Sequence, residues 1–144
     1  MLMMLSKKYI KPINTNNMNK YSIILGNLGN TCDRFCKGYK NNPTSEEMLE
    51  MAIKKIPLIK GVELVGNWDI RKDNAKDMKK RLADHGLECS SIIPDTFSES
   101  EYGKGSITST VRKTRKKALD YLREMSEIAL EIDCKLMNLW LGQD

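Results

Sequence analysis

At 144 residues the chain is long enough for one domain with its own core, and no apolar run nears the ~18 residues of a membrane span. The formal charge of +5 invites a nucleic-acid reading, yet Lys7, Lys8, Lys11 and Lys20 fall in an opening stretch without a single acid, and the remainder is nearly balanced. The apolar run Met1 to Leu5 is too short for a signal peptide and its lysines follow it, so the expectation is a cytoplasmic protein with neither nucleic acid nor membrane as partner.

Residues 1–20 are polar, rich in Asn and Lys and without helical or strand period, which predicts a disordered basic extension. Tyr21 to Leu25 is a short β-type run closed by Gly26-Asn27-Leu28-Gly29. After a long polar loop, Thr44 with Glu47 three residues on predicts a capping box. Met48, Leu49, Ala52, Ile53 and Ile56 then mark one buried helix face. Lys54 and Lys55 suit the helix end, and Pro57 stops it.

Gly61 to Asp69 reads as the second strand. A second helix follows over about 73–85, with Ala75, Met78 and Leu82 on one face and Gly86 as the residue of positive φ beyond its end. Glu88 to Ile93 is the third strand, closed by Pro94. A loop with Gly103 and Gly105 leads to a long third helix carrying Val111, Ala118, Leu122, Met125, Ala129 and Ile132 at helical spacing. Lys135 to Leu141 is the fourth strand. The four cysteines, Cys32, Cys36, Cys89 and Cys134, form no framework and read as free thiols.

Strands separated by helices of this length pair in parallel, because a parallel pair needs a crossover connection. The fold class is therefore α/β, with about four parallel β/α units over residues 21–144. That is a partial (β/α)8 barrel, half of the ~250 residues usual for a complete one. A doubly wound open sheet is the rival that spacing leaves open.

Particular residues favour the barrel. The run Gly61-Val62-Glu63-Leu64-Val65-Gly66-Asn67-Trp68-Asp69 resembles the second strand of xylose isomerase-like TIM barrels. The junctions His85-Gly86-Leu87-Glu88 and Ile93-Pro94-Asp95 are similar to those around the family's third strand. Tyr21 to Gly26 looks like its first strand, and Leu139-Trp140-Leu141-Gly142-Gln143-Asp144 like its fourth strand and following turn. The resemblance covers roughly 20–144, the N-terminal half of such a barrel. It implies a metal-dependent isomerase or epimerase acting on a sugar or sugar phosphate, in which a divalent ion (Mg, Mn, Co or Zn) polarises the substrate and carboxylates move protons.

The family's metal ligands lie mainly on strands five to eight, so the expectation for this chain is no cofactor, no catalytic residue and no metal residue of its own. It reads as a fragment, inactive when isolated, whose open first and fourth strands are prone to self-association. Two alternatives stand beside it: an abasic-site endonuclease of the same superfamily, and a non-catalytic half-barrel that works by association with another chain.

Candidate substrate contacts follow from the barrel rule that sites gather at the C-terminal ends of strands. Alternation directs Glu63 into the barrel, either for chemistry or for pairing in its polar interior. Asn67, Trp68 and Asp69 reach the mouth, where they contact sugar or cap the strand end. In the fourth strand Asn138 and Trp140 face inward, and Gln143 and Asp144 lie in the turn over the mouth. His85, the single histidine, caps a helix on the opposite side. Cys32 and Cys36 lack the third cysteine an iron–sulfur cluster needs, since Tyr39 stands at that spacing. The run Arg112 to Lys117 is a solvated face or a lure for a sugar phosphate.

Overall fold

The computed structural model describes residues 20–29 and 43–144. The extension predicted over 1–20, apart from Lys20, and the loop with Cys32 and Cys36 lie outside the described residues. Strand β1 spans Tyr21–Ile24 and passes into a single 3-10 turn, Leu25–Leu28. Helix α1, Ser45–Lys55, starts with both halves of the expected capping box: Glu47 N–H donates to Thr44 Oγ1 at 3.2 Å, and Thr44 N–H to Glu47 Oε2 at 2.8 Å. Then come β2 (Ile59–Val65), α2 (Ala75–Asp84), β3 (Glu88–Ile93) and α3 (Arg112–Glu131). Among the described residues no helix is long and apolar enough to cross a membrane.

The sheet runs β1-β2-β3 in chain order, and both pairs are parallel. Beyond β3 the order continues as one parallel bridge, Ile92 to Met137, made by Ile92 N–H to Leu136 O (3.0 Å) and Asn138 N–H to Ile92 O (2.8 Å). Among the described residues the order does not reverse. Val62 and Leu64 of β2 and Ile92 of β3 join Met48, Leu49 and Ala52 of α1, Met78 and Leu82 of α2, and Met125 and Ile128 of α3 in one core. All three helices thus pack on one face, whereas a doubly wound sheet carries helices on both. The architecture is an arc of a β/α barrel.

The opposite, inner face is polar at its start. Gly61 of β2 stands between Ser22 of β1 and Ser90 of β3, whose hydroxyls hydrogen-bond across it at 2.6 Å. A Cβ at Gly61 would lie 3.4 Å from that of Ser90 and 3.6 Å from that of Ser22, so the bond runs through the space that glycine leaves. Lys20 reaches over the same strand to Glu88, Nζ to Oε1 2.9 Å. Further along, Ser91 Oγ donates to Glu63 Oε2 at 2.7 Å, and Val65 and Ile93 are fully buried next to the rim.

Three boundaries differ from the sequence expectation. β2 begins at Ile59 and ends at Val65 instead of running to Asp69, because Asn67 takes a positive φ of 65° and the chain turns. The fourth strand, expected over 135–141, is reduced to the bridge at Met137. Among the described residues it has β3 as its one neighbour, and Leu139 and Leu141 remain 44% and 46% exposed. Val111, expected on the buried face of the third helix, is its exposed N-cap.

Two helices end in the same way. At α2, Gly86 (φ 63°) follows the cap residue His85, Gly86 N–H bonds Ala83 O and Leu87 N–H bonds Leu82 O. At α3, Asp133 (φ 59°) takes the glycine's place, Asp133 N–H bonds Leu130 O and Cys134 N–H bonds Ala129 O. This is the Schellman arrangement, which satisfies the last carbonyls and folds the next apolar residue back onto the helix. A Cβ at Gly86 would meet nothing within 4 Å, so its cost is purely that of the left-handed backbone. Gly86→Ala should lower stability by about 1 kcal/mol, read as an earlier urea midpoint with unchanged slope, and Gly86→Asn by less.

Candidate functional site

The C-terminal ends of the strands carry the residues singled out by sequence. The turn after β2 is built around Asp69, which is wholly buried. Its Oδ2 accepts the Val65 N–H (3.0 Å) and its Oδ1 the hydroxyl of Ser45 at the start of α1 (3.1 Å). Asn74 Nδ2 donates to its carbonyl at 3.1 Å. The expectation that Asp69 faces the mouth is therefore corrected. Alternation stops with the strand at Val65, and the carboxylate turns back to close the turn and tie in α1. Asn67, at the tip, is exposed.

Trp68 is half-buried and points along the rim. Its Nε1–H donates to Oδ2 of Asp95 at 2.9 Å. Asp95 is itself buried and also accepts the Ser98 N–H (Oδ1, 2.9 Å) and the Ser98 hydroxyl. That turn sets Phe97 between two indoles: edge-on to Trp68 with centroids 5.7 Å apart, and tilted against Trp140 at 5.4 Å. The result is an aromatic wall contributed by three successive strand ends, with geometries that aromatic pairs favour. Tyr121 of α3 supports it from behind by accepting the Asp95 N–H at 3.3 Å. Burial pushes the Tyr121 hydroxyl above its ordinary range, keeping it neutral. Gly66 makes this possible, since a Cβ there would lie 2.2 Å from the Tyr121 hydroxyl.

Glu63 lies on the inner face below the wall, half-buried and held by Ser91. Asn138 and Gln143 are exposed on the fourth segment. Asp144 does not hang over the mouth. It grips the loop between β3 and α3, accepting the N–H groups of Ser106 (2.7 Å) and Thr108 (2.8 Å) and both their hydroxyls. Partial burial opposes its ionisation, but the hydrogen bonds from Ser106 and Thr108 prevail and hold the carboxyl at about 2. In the basic run of α3, Lys116 pairs with Asp120 and Lys117 with Glu101, while Arg115 donates to Ser109 O. Most of that run is thus spent locally.

The structure brings Trp68 and Trp140 together through Phe97, sets Glu63 beneath them, and takes Asp69 and Asp144 into the scaffold. Phe97 and Asp95 are absent from the sequence-based candidates. The signal was there: an indole N–H at a rim needs an acceptor, and Ile93-Pro94-Asp95 already marked the strand end. Among the described residues no three His, Cys, Asp or Glu side chains converge as metal donors. Asp69 and Asp95 are occupied by N–H and O–H donors, so these residues do not fit a divalent ion, which takes several oxygens at once. What they form is a surface for stacking and hydrogen bonding.

A family model described as xylose isomerase-like TIM barrel matches residues 52–144, well over half of the chain. No curated protein matches it significantly.

Two outcomes follow for the rim. Asp95→Ala should cost about 2 kcal/mol, since the indole N–H and the Ser98 N–H lose a common acceptor in a buried place. Urea unfolding reads the loss, and a red-shifted tryptophan emission reads the tilt of Trp68. Asp144 is depressed in the folded state, so its contribution is present above the unfolded value of ~3.9 and fades as pH falls toward 2. Asp144→Asn should therefore flatten the stability loss between about pH 4 and pH 2, measured by urea midpoints across that range.

Proposed function

The chain belongs to the xylose isomerase-like TIM barrel family, and from that premise we propose that its rim is part of the pocket of a sugar or sugar-phosphate isomerase or epimerase. The wall Trp68–Phe97–Trp140 carries this reading. Aromatic faces suit the C–H face of a sugar ring, and the exposed amides of Asn67, Asn138 and Gln143 have both donors and acceptors to offer its hydroxyls. Glu63, on the inner face, adds a carboxylate acceptor whose direction Ser91 fixes. These residues bind and orient. Within the basic start of α3, Lys116 and Lys117 are already paired with Asp120 and Glu101.

An abasic-site endonuclease is the rival within the same fold. It would hold zinc through several histidines, some of them on the early strands, and the one histidine of these 144 residues is the exposed cap of α2, at the N-terminal end of β3 and away from the rim. That placement favours the sugar reading. Titration of tryptophan fluorescence with free and phosphorylated pentoses and hexoses should give saturable quenching. Phe97→Ala should weaken the apparent affinity about tenfold, the worth of one good aromatic contact. Saturable binding of a duplex with an abasic site, together with indifference to every sugar, would sink the proposal. With magnesium, manganese, cobalt or zinc added, the 144-residue chain should leave the bound sugar unisomerised.

A further inference from the structure

The loop between β3 and α3 contains a cradle of hydrogen-bond donors. Gly105 turns the chain with a φ of 93°. The N–H groups of Ser106 and Thr108 then converge on one spot, and so do both their hydroxyls. Ser106 is only 1% exposed, so its donors need a partner within the protein. The Asp144 carboxylate fills that spot. Its Oδ1 accepts the two N–H groups (2.7 and 2.8 Å) and the Thr108 hydroxyl (2.6 Å), and its Oδ2 accepts the Ser106 hydroxyl. A Cβ at Gly105 would lie 3.2 Å from Asp144 Oδ1 and 2.9 Å from Thr108 Oγ1, so the bare glycine keeps the cradle open. Neighbouring backbone N–H groups and hydroxyls aimed at one anion are the donor set that phosphate oxygens take.

Asp144 differs from the other two rim aspartates. Asp69 and Asp95 are wholly buried, whereas Asp144 is half-buried. It rises from a turn closed by its own N–H to Leu141 O at 3.0 Å, with Gly142 at a φ of 66°. Rotation about its side-chain bonds takes the carboxylate out of the cradle and leaves the bridge at Met137 intact. The surrounding charge favours an anion of more than one charge. Lys116 and Lys117 have carboxylate partners, but Arg112, Lys113 and Arg115 form no ion pair among the described residues. Arg115 is tied by its guanidinium to Ser109 O, on the cradle's own loop. The first turn of α3 holds no acidic residue, so these cations stand where the helix dipole disfavours them. An anion bound a few residues away offsets that cost.

We propose that Gly105–Thr108 is a phosphate site, in which the Asp144 carboxylate stands in for the phosphate of a sugar phosphate and swings out when that ligand binds. A phosphate presents three oxygens to the four donors where a carboxylate presents two, and its second charge meets the unpaired cations. The inference rests on the sugar reading for the sugar alone. It narrows the substrate to phosphorylated sugars and makes Asp144 an internal competitor for their place.

Amide proton–nitrogen correlation spectra of the full chain read the cradle at the Ser106 and Thr108 N–H groups. Inorganic phosphate, compared with potassium chloride of equal ionic strength, should shift both. In Asp144→Ala it should bind at least about tenfold more tightly than in the parent, since an occupant lowers apparent affinity by the fraction of time the site is free. Phosphate should also raise the urea midpoint of Asp144→Ala more than that of the parent. Adding Thr108→Val removes one exposed hydroxyl, keeps the amide, and should weaken phosphate binding about tenfold. Ribose phosphate should shift the same two amides and bind more tightly than free ribose. Shifts no larger than those in chloride, or equal affinity in parent and Asp144→Ala, would overturn the proposal. Phosphate bound as expected while ribose phosphate leaves the tryptophans unquenched upholds the cradle and removes the sugar reading. Quenching by free ribose with both amides unmoved by phosphate keeps the sugar reading and removes the cradle.

Discussion

Val62 and Leu64 on β2 and Ile92 on β3 present their side chains to one face, and α1, α2 and α3 all bury against them. Helices on one face and parallel strands in unbroken chain order are the arrangement of a barrel wall, whose other face lines the interior. The polar start of the inner face follows from the same constraint. Ser22, Glu63, Ser90 and Ser91 lie where no helix packs and bond one another instead. The rim inherits its geometry from that arrangement, because successive strand ends converge and Trp68, Phe97 and Trp140 come within ring contact.

At that rim three aspartates do similar work. Asp69 after β2, Asp95 after β3 and Asp144 after the fourth segment each accept a backbone N–H and a hydroxyl, Asp69 from the end of β2 and the start of α1, the other two from loops. A carboxylate has room for several donors, and one short side chain can satisfy a whole turn of otherwise orphaned amides. The wall consequently stands on fixed loops. Trp68 is oriented by an acceptor that is itself oriented, which limits how far the indole can swing. A ring so held gives up less freedom when a ligand stacks on it.

Local chemistry made much of the fold readable in advance. Thr44 with Glu47, and Gly86 after an apolar helix face, are features whose partners lie within a few residues, and both stand as expected. Features decided by distant partners were not readable. Asp69 looks like the next outward step of a strand until Val65 and Ser45 claim its carboxylate. Asp133 carries no glycine to announce its left-handed turn, yet ends α3 as Gly86 ends α2. Phe97 gained its place from Asp95, whose role depends on an indole 27 residues away in sequence. The fourth strand has the composition of one, yet among the described residues its pairing is the single bridge of Met137 to Ile92.

β1 is four residues long and sits at the edge of the sheet, where such a strand would ordinarily peel away first. Here it is fastened past its neighbour. The Ser22–Ser90 bond and the Lys20–Glu88 pair both run from β1 to β3, skipping β2. Both are exposed and each is modest; the serine bond crosses the gap over Gly61. Opening β1 therefore disturbs a strand it does not pair with, and the edge shares the fate of the centre. Fraying at the edge is thereby coupled to the far strand, through the space of an atom that the middle strand lacks.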